Sequence, residues 1–286
     1  EASVLSGTSI TVKGDGTVTD LLGATETTAS QTIDMSNVVI DNTLSTGLGG
    51  LAITTANGTN TVTGTSANDT ITGGTGVDTL TGGEGADTIT GGLEADVINL
   101  TETTAAIDTV ILTTGAAIGV DVITGFNVAT AADNGDNVDI DLSDINALVG
   151  DLSLAGNFAT ASNVGASAAP VIAQVAVGAY DMATDATAHI LNIVGDYATA
   201  GDLETALEIG GTSALTTNST GTEFAANDAF MVLYDNGTNS FLAYVVSAAG
   251  AANDATFASS DLTVTNMVQF TGISDSATFV TNNFDI

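Results

Sequence analysis

An all-β fold, a parallel β-roll or β-solenoid followed by a β-rich C-terminal domain with a few short helices, is predicted by three observations. A nine-residue repeat runs through the first half of the chain. Short Thr-, Val- and Ile-rich segments flank it on both sides. Near the C-terminus, two apolar runs enclose an Asn-Gly turn.

The repeat is the strongest of the three. From Gly64 to Asn99 the chain reads GTSANDTIT, GGTGVDTLT, GGEGADTIT and GGLEADVIN. Each follows G-G-x-G-x-D-x-U-x, where U is a large apolar residue. Position six is Asp69, Asp78, Asp87 and Asp96; position eight is Ile71, Leu80, Ile89 and Ile98. The first copy lacks the second and fourth glycines, and Glu94 replaces a glycine in the last. Degraded outer copies are expected of the terminal coils of a solenoid. A flexible Gly/Asp linker has no reason to keep U apolar. Upstream the phase continues weakly, with Asn60 and Val62 where Asp and U fall and Ile53 one repeat earlier.

Each position has a physical reason. Glycines at one, two and four let the backbone turn sharply with its carbonyls pointing inward. The x-U-x tripeptide is a minimal strand that buries one side chain. Two repeats close one coil, so Asp69 stacks on Asp87, and Asp78 on Asp96, at roughly the 4.8 Å strand spacing. Bare carboxylates at that spacing repel by about 3 kcal/mol at an effective dielectric of about 20. One buried U residue returns about 1.5–3 kcal/mol, against about 1–2 kcal/mol of backbone entropy for every residue ordered. The metal-free roll is disfavoured. Carboxylates and carbonyls are the hard oxygen ligands that Ca²⁺ prefers, and a bound cation turns their repulsion into attraction.

Composition agrees. The chain has 286 residues, with 34 acidic side chains against one basic residue, Lys13, for a net charge of −33. Such a surface excludes the Lys/Arg contacts of nucleic-acid binding and docking on an anionic bilayer. Hydrophobic residues make up 44% of the chain, too many for the disordered acidic class. With no cysteine, metal is the available staple for an extracellular protein. The apolar run Ala168–Tyr180 is too short and mixed to span a membrane. A chain that starts at Glu1 and lacks a basic leader reads as a fragment or processed product.

Three regions are expected. Residues 1–63 are β-rich, a solenoid-like segment without the metal code, with strands at Ser9–Lys13 and Asn37–Ile40. Residues 64–145 hold the roll and its closing segment, with strands at Asp108–Thr113, Val120–Phe126 and Asp139–Leu142. Residues 146–286 form the C-terminal domain. Short helices are expected at Asp144–Val149 and Gly201–Leu207, a hairpin over Asp228–Val246, and a strand at Thr263–Phe270.

Catalytic constellations are missing by residue type. His189 is the one histidine, so HExxH cannot occur. Gly165–Ala169 is the nearest approach to G-x-S-x-G and lacks the last glycine. Carboxylate pairs carry almost no information in so acidic a chain. Asp133–Asp141 is spaced like an EF-hand loop, but Val138 stands where that loop needs glycine. We read it as a solvated loop with at most a weak metal site, and the protein as a non-enzyme.

The repeats resemble those of RTX proteins, which are exported by type I secretion and built on a Ca²⁺-binding parallel β-roll. DVITGFN at Asp121–Asn127 and DIDLSDI at Asp139–Ile145 look like the segment that closes such rolls. The tail Phe279–Ile286 resembles an uncleaved secretion signal. The resemblance implies side-chain metal ligands Asp69, Asp78, Asp87 and Asp96. It also implies carbonyl ligands from Gly73, Thr75, Gly82, Glu84, Gly91 and Leu93, framing two sites. Calcium is then the cofactor, and the location is extracellular, at the cell surface. The expected partners are copies of the chain itself, the secretion apparatus during export and cell-surface polysaccharide as a candidate anchor. The favoured role is a self-assembling S-layer or filament subunit; the alternatives are the end of an adhesin or the secretion region of a hydrolase.

Overall fold

The computed structural model describes residues 10–12, 22–23, 32–40, 50–55, 57–113, 119–128, 135–140, 172–176, 178, 180–181, 190–208, 210–216, 229–248, 257 and 261–285. The chain divides into two compact units, Glu1–Thr113 with Ala117–Ile140, and Thr114–Ala116 with Asp141–Ile286. The expected helix Asp144–Val149, along with Lys13, Gly165–Ala169 and His189, lies outside the described residues.

The first unit is a two-sided parallel roll. Its strands are β1 (Ile10–Val12), β2 (Leu22–Gly23), β3 (Thr32–Asp34), β4 (Val38–Ile40), β5 (Ala52–Thr54), β6 (Thr61–Thr63) and β7 (Thr70–Thr75). They continue as β8 (Thr79–Thr81), β9 (Thr88–Leu93), β10 (Val97–Asn99), β11 (Thr109–Leu112), β12 (Asp121–Thr124) and β13 (Asn137–Ile140). From β5 onward, successive strands alternate between two faces. On one, β2, β5, β7, β9, β11 and β13 pair in parallel. On the other, β3, β6, β8, β10 and β12 do the same. A further parallel pair joins β1 and β4.

Register follows the apolar position of the repeat. Ile53, Ile71, Ile89, Val110 and Val138 stand side by side on one face. Ile33, Val62, Leu80, Ile98 and Ile123 do so on the other. All ten are buried. Because side chains alternate along a strand, the flanking positions point outward. There the sheets carry ladders such as Thr61–Thr79–Val97–Val122, without charge, and Asp34–Thr63–Thr81–Asn99–Thr124, with one charged residue at its N-terminal rung. Within Asp133–Asp141, the described residues 135–140 are not a solvated loop. Asn137–Ile140 is β13, because Val138 serves as one more U residue, and Asp136 is buried beside it.

The second unit is built on β14 (Ile172–Val175), β16 (Ile190–Asp196) and β18 (Ala229–Asp235), all parallel, with β19 (Ser240–Ser247) and β20 (Leu262–Thr271) following antiparallel. The Asn236-Gly237 hairpin joins β18 to β19, with Gly237 at φ 77°. A small parallel pair joins β15 (Tyr180–Asp181) to β17 (Leu215–Thr216). Helix α1 (Ala200–Leu207) starts in a capping box between Thr199 and Asp202 and buries Leu203, Ala206 and Leu207. Its Glu204 carboxylate accepts a hydrogen bond from the Val264 N–H at 2.7 Å, and Glu208 just past its end from Leu262 N–H at 3.4 Å. In the tail, Phe279 packs on Phe270 and Phe284 with ring centroids 4.8 and 5.7 Å apart.

Candidate metal centre

The turns that link the two faces carry the acidic residues, and one hydrogen-bond pattern recurs through them. Asp69 N–H donates to Asp87 Oδ1 at 2.7 Å, and Asp78 N–H to Asp96 Oδ1 at 2.8 Å, each across 18 residues. Every aspartate thereby staples the backbone of the coil before it. The pattern makes two ladders. One runs Leu51, Asp69, Asp87, Asp108 and Asp136. The other runs Asn60, Asp78, Asp96 and Asp121.

Glycines allow this stacking. Positions two and four of the complete turns have positive φ, from 100° to 119° at Gly74, Gly76, Gly83, Gly85 and Gly92. Added Cβ atoms at Gly83 and Gly92 would collide with the carbonyls of Thr65 and Gly74 one coil away. Glu94 keeps the left-handed backbone its position demands, at φ 76°, without being glycine. That conformation costs an L-residue about 1–2 kcal/mol. Glu94→Gly is therefore expected to stabilise the roll by about 1 kcal/mol in saturating calcium. Denaturant unfolding checks this, and an unchanged or lowered midpoint contradicts it.

The second carboxylate oxygens decide what the turns hold. Asp78, Asp87 and Asp96 are 0%, 2% and 0% exposed, yet their Oδ2 atoms have no hydrogen-bond partner. A buried charged acceptor without a donor costs more than the roughly 1–3 kcal/mol of a neutral one. Each orphan oxygen lies against the first glycine of its own repeat: Asp78 by Gly73, Asp87 by Gly82 and Asp96 by Gly91. The Gly91 carbonyl oxygen converges on the same point beside Gly73 as Asp78 Oδ2. Acceptors facing acceptors across a space no Cβ could share are what a cation requires. The residues present fit calcium, an oxygen-seeking ion tolerant of irregular shells. Among the described residues no three acidic or imidazole groups form a cluster by themselves, so backbone carbonyls have to complete any shell.

The first repeat differs. Without glycines at positions two and four, Thr65 donates to Asp69 through both its N–H, at 2.5 Å, and its hydroxyl, at 3.1 Å. Gly82 O still converges with Asp69 Oδ2 beside Gly64. At the neighbouring N-terminal turn, protein donors stand in the cation's place. Asn60 Nδ2 donates to Asp78 Oδ1 at 2.9 Å and to Gly58 O at 2.6 Å, and lies 3.4 Å from Gly73 O, which also accepts from Thr55 Oγ1. Thr75 O accepts from Gly58 N–H at 2.6 Å. Thr75 and Leu93 face each other where β7 pairs with β9. The Glu84 side chain turns outward and accepts from Thr103 and Thr104.

Burial without a counter-charge raises the acids. Asp87 is pushed up to about 8 by burial first, then by the Asp69, Asp108 and Glu102 charges, against the lowering effect of the Asp69 N–H. Burial likewise lifts Asp96, Asp108 and Asp121 to about 7 and Asp136 to about 6. Asp69 and Asp78 are raised by the same cause. Sequence reasoning missed Asp108, Asp121 and Asp136 as members of the ladders. Their signal was present: D-x-U recurs as Asp108–Val110, Asp121–Ile123 and Asp136–Val138, without the glycines that made the repeat visible.

A parallel roll whose turns are lined by buried, cation-seeking carboxylates defines a metal-stapled β-solenoid. Residues 55–89 and 63–98 match the family model of the RTX calcium-binding nonapeptide repeat, in 4 copies. These turns are RTX repeats, which bind calcium ions. Neither curated proteins nor solved structures give a match to the chain.

Proposed function

We propose that the chain is a calcium-dependent structural protein of the bacterial cell surface, exported by type I secretion, whose copies assemble into an S-layer or filament. Calcium is held by Asp78 with Asp96 and by Asp87 with Asp69, with carbonyls of Gly82, Glu84, Gly91 and Leu93 around them; those of Gly73 and Thr75 join by releasing their Thr55, Asn60 and Gly58 donors. Asp69 joins by releasing its Thr65 hydrogen bonds. The metal supplies charge neutralisation and ties each coil to the next; the aspartates orient it and staple the backbone. The tail around Phe279–Ile286 serves as the secretion signal.

One observation carries the assembly reading. In a chain of net charge −33, the outward positions carry few charges: Thr61–Thr79–Val97–Val122 has none, Thr63–Thr81–Asn99–Thr124 meets one at Asp34, and the other face has Asp139 beside Ile111. The buried acids Asp69, Asp78, Asp87, Asp96, Asp108, Asp121 and Asp136 precede the U strands, where calcium neutralises them. Subunits that repel through their net charge thus keep weakly charged faces through which they meet once the turns are loaded. Light scattering and electron microscopy across a calcium series test this. We expect ordered arrays or fibres above the calcium level that folds the roll. A folded, calcium-loaded protein that stays monomeric at high concentration overturns the assembly reading and leaves calcium binding intact.

A further inference from the structure

The turn one coil before Asp78 is built like the turns that follow it, except at one side chain. Gly58 has φ 114°, close to the 107° of Gly76 one coil on, and a Cβ added at Gly76 would meet the Gly58 carbonyl carbon at 2.8 Å. Asn60 N–H donates to Asp78 Oδ1 at 2.7 Å, the same staple that Asp78 N–H makes to Asp96 Oδ1 at 2.8 Å. Gly73 O lies 13 residues beyond Asn60 and 3.4 Å from its side chain. At that same offset Gly82 O converges with Asp69 Oδ2 beside Gly64, and Gly91 O with Asp78 Oδ2 beside Gly73. The difference is chemical. At Asp78 the oxygen that faces the carbonyl is buried without a donor. At Asn60, itself 0% exposed, an NH2 group stands in that place and donates to Asp78 Oδ1 at 2.9 Å and Gly58 O at 2.6 Å.

We propose that Asn60 closes this calcium ladder at its N-terminal end: its amide stands where the next coil needs a cation, so one residue sets how many ions the roll takes up. The proposal rests on the calcium reading of the roll. An ion entering between Asn60 and Asp78 would meet two N–H donors, which repel a cation and already occupy its oxygen ligands. The amide is neutral, so Asp78 keeps its charge for the ion it shares with Asp96. When Gly73 O turns to calcium, the 3.4 Å contact with Asn60 is the one given up. The two shorter bonds, to Asp78 and Gly58, hold the amide in place. This turn is thereby satisfied without metal, as the turns of Asp78 and Asp96 are not. An aspartate at position 60 restores the repeat code. It leaves only hard oxygen donors around the space, its own carboxylate with Asp78, Gly58 O and Gly73 O, the set calcium prefers. Thr55 Oγ1, the other donor to Gly73 O, is a hydroxyl that can rotate its proton away.

The test is calcium uptake by the full chain, measured by titration calorimetry, with circular dichroism in saturating calcium to verify folding. Asn60→Asp, nearly isosteric, should bind one calcium more than wild type. Its unfolding midpoint should also rise more steeply with calcium concentration, as an additional bound ion requires. Asn60→Ala, which removes the amide and adds no carboxylate, should keep the wild-type count. In denaturant melts at saturating calcium, Asn60→Asp should outlast Asn60→Ala. Were the amide only a structural hydrogen-bonder the order would be the opposite, because N60D loses the same donors and adds a charge beside Asp78. A wild-type calcium count in a folded N60D overturns the proposal, and so does an N60D less stable in calcium than N60A. An N60D that fails to fold in saturating calcium while N60A folds overturns it equally, since the added ion is expected to offset the added charge. A wild-type chain that takes up no calcium refutes the reading of the whole roll, a result distinct from either.

Discussion

Excess chelator at pH 8 is expected to unfold the roll while the second unit keeps its structure. The roll buries Asp69, Asp78, Asp87, Asp96, Asp108, Asp121 and Asp136 with no basic side chain answering them among the described residues. Adjacent rungs repel on the order of 3 kcal/mol at an effective dielectric of about 20, against about 1.5–3 kcal/mol from one U residue per turn. The second unit has a large apolar core instead, including Phe230, Val232, Tyr234, Val245, Phe257 and Leu203. The two are separable by spectroscopy. All 4 tyrosines (Tyr180, Tyr197, Tyr234 and Tyr244) belong to the second unit, and there is no tryptophan. Chelation should remove a large part of the far-ultraviolet β signal and leave the near-ultraviolet tyrosine signal largely intact. Calcium should restore the loss cooperatively, at the sub-millimolar to millimolar levels usual for extracellular modules, and magnesium should do so poorly.

Protons should partly replace calcium. In the metal-free roll Asp87 titrates at about 8, Asp96, Asp108 and Asp121 at about 7, and Asp136 at about 6, all raised from 3.8. The folded metal-free roll thus binds more protons than the unfolded chain between about pH 4 and 8. Its stability is greatest below that window and is lost as pH rises through 6–8. In chelator, acidification from pH 8 to 5 should therefore recover β-structure. In calcium the same protons compete with the metal, so the calcium midpoint should move upward as pH falls. Equal β-content with and without chelator at pH 8, or a calcium midpoint indifferent to pH, would refute this account.

The repeat was legible because glycine and aspartate are both obligatory there: the turn needs positive φ, and the stack needs a carboxylate. From those positions follow the coil length, the inward U residues and the stacking of Asp69 on Asp87. The reading faded where the physics tolerates other residues. Asp108, Asp121 and Asp136 continue the ladders through loops whose rungs are 21, 25 and 28 residues apart, so the nine-residue period no longer marks them. Asp136 was masked further by a resemblance to an EF-hand loop. At the N-terminal end, Asn60 and Thr55 satisfy by hydrogen bonding what the inner turns leave open. The nine-residue phase marked Asn60 at the Asp position, but not that its amide would supply the donors that cap the turn. In the second unit, the Asn-Gly hairpin and the helix at Ala200–Leu207 were readable from local signals. The parallel pairing of β14, β16 and β18 was not, since it depends on distant segments.

Asp87→Asn is expected to reverse the stability order of variant and wild type between chelator and calcium. Asp87 does two things at one position. Its Oδ1 accepts from Asp69 N–H, and its Oδ2 is the buried oxygen without a donor. Asparagine keeps the acceptor, so the staple to the coil before survives. It removes the charge that Asp69, Asp108 and Glu102 oppose. In chelator at pH 8 the variant roll should therefore be more stable than wild type. In calcium it has lost a ligand, so its midpoint should rise on the order of tenfold and its stability should fall below wild type. Asp87→Ala separates the two contributions. It relieves the same repulsion but leaves the Asp69 N–H buried without an acceptor, at a cost of about 1–3 kcal/mol. It should be weaker than Asp87→Asn under both conditions. Asp141→Ala, at a position that sequence reading places off the repeat code, should leave the calcium midpoint near wild type. Denaturant melts and calcium titrations of the four proteins decide the matter. If Asp87→Asn is the less stable protein in chelator too, repulsion between stacked carboxylates is not what calcium relieves.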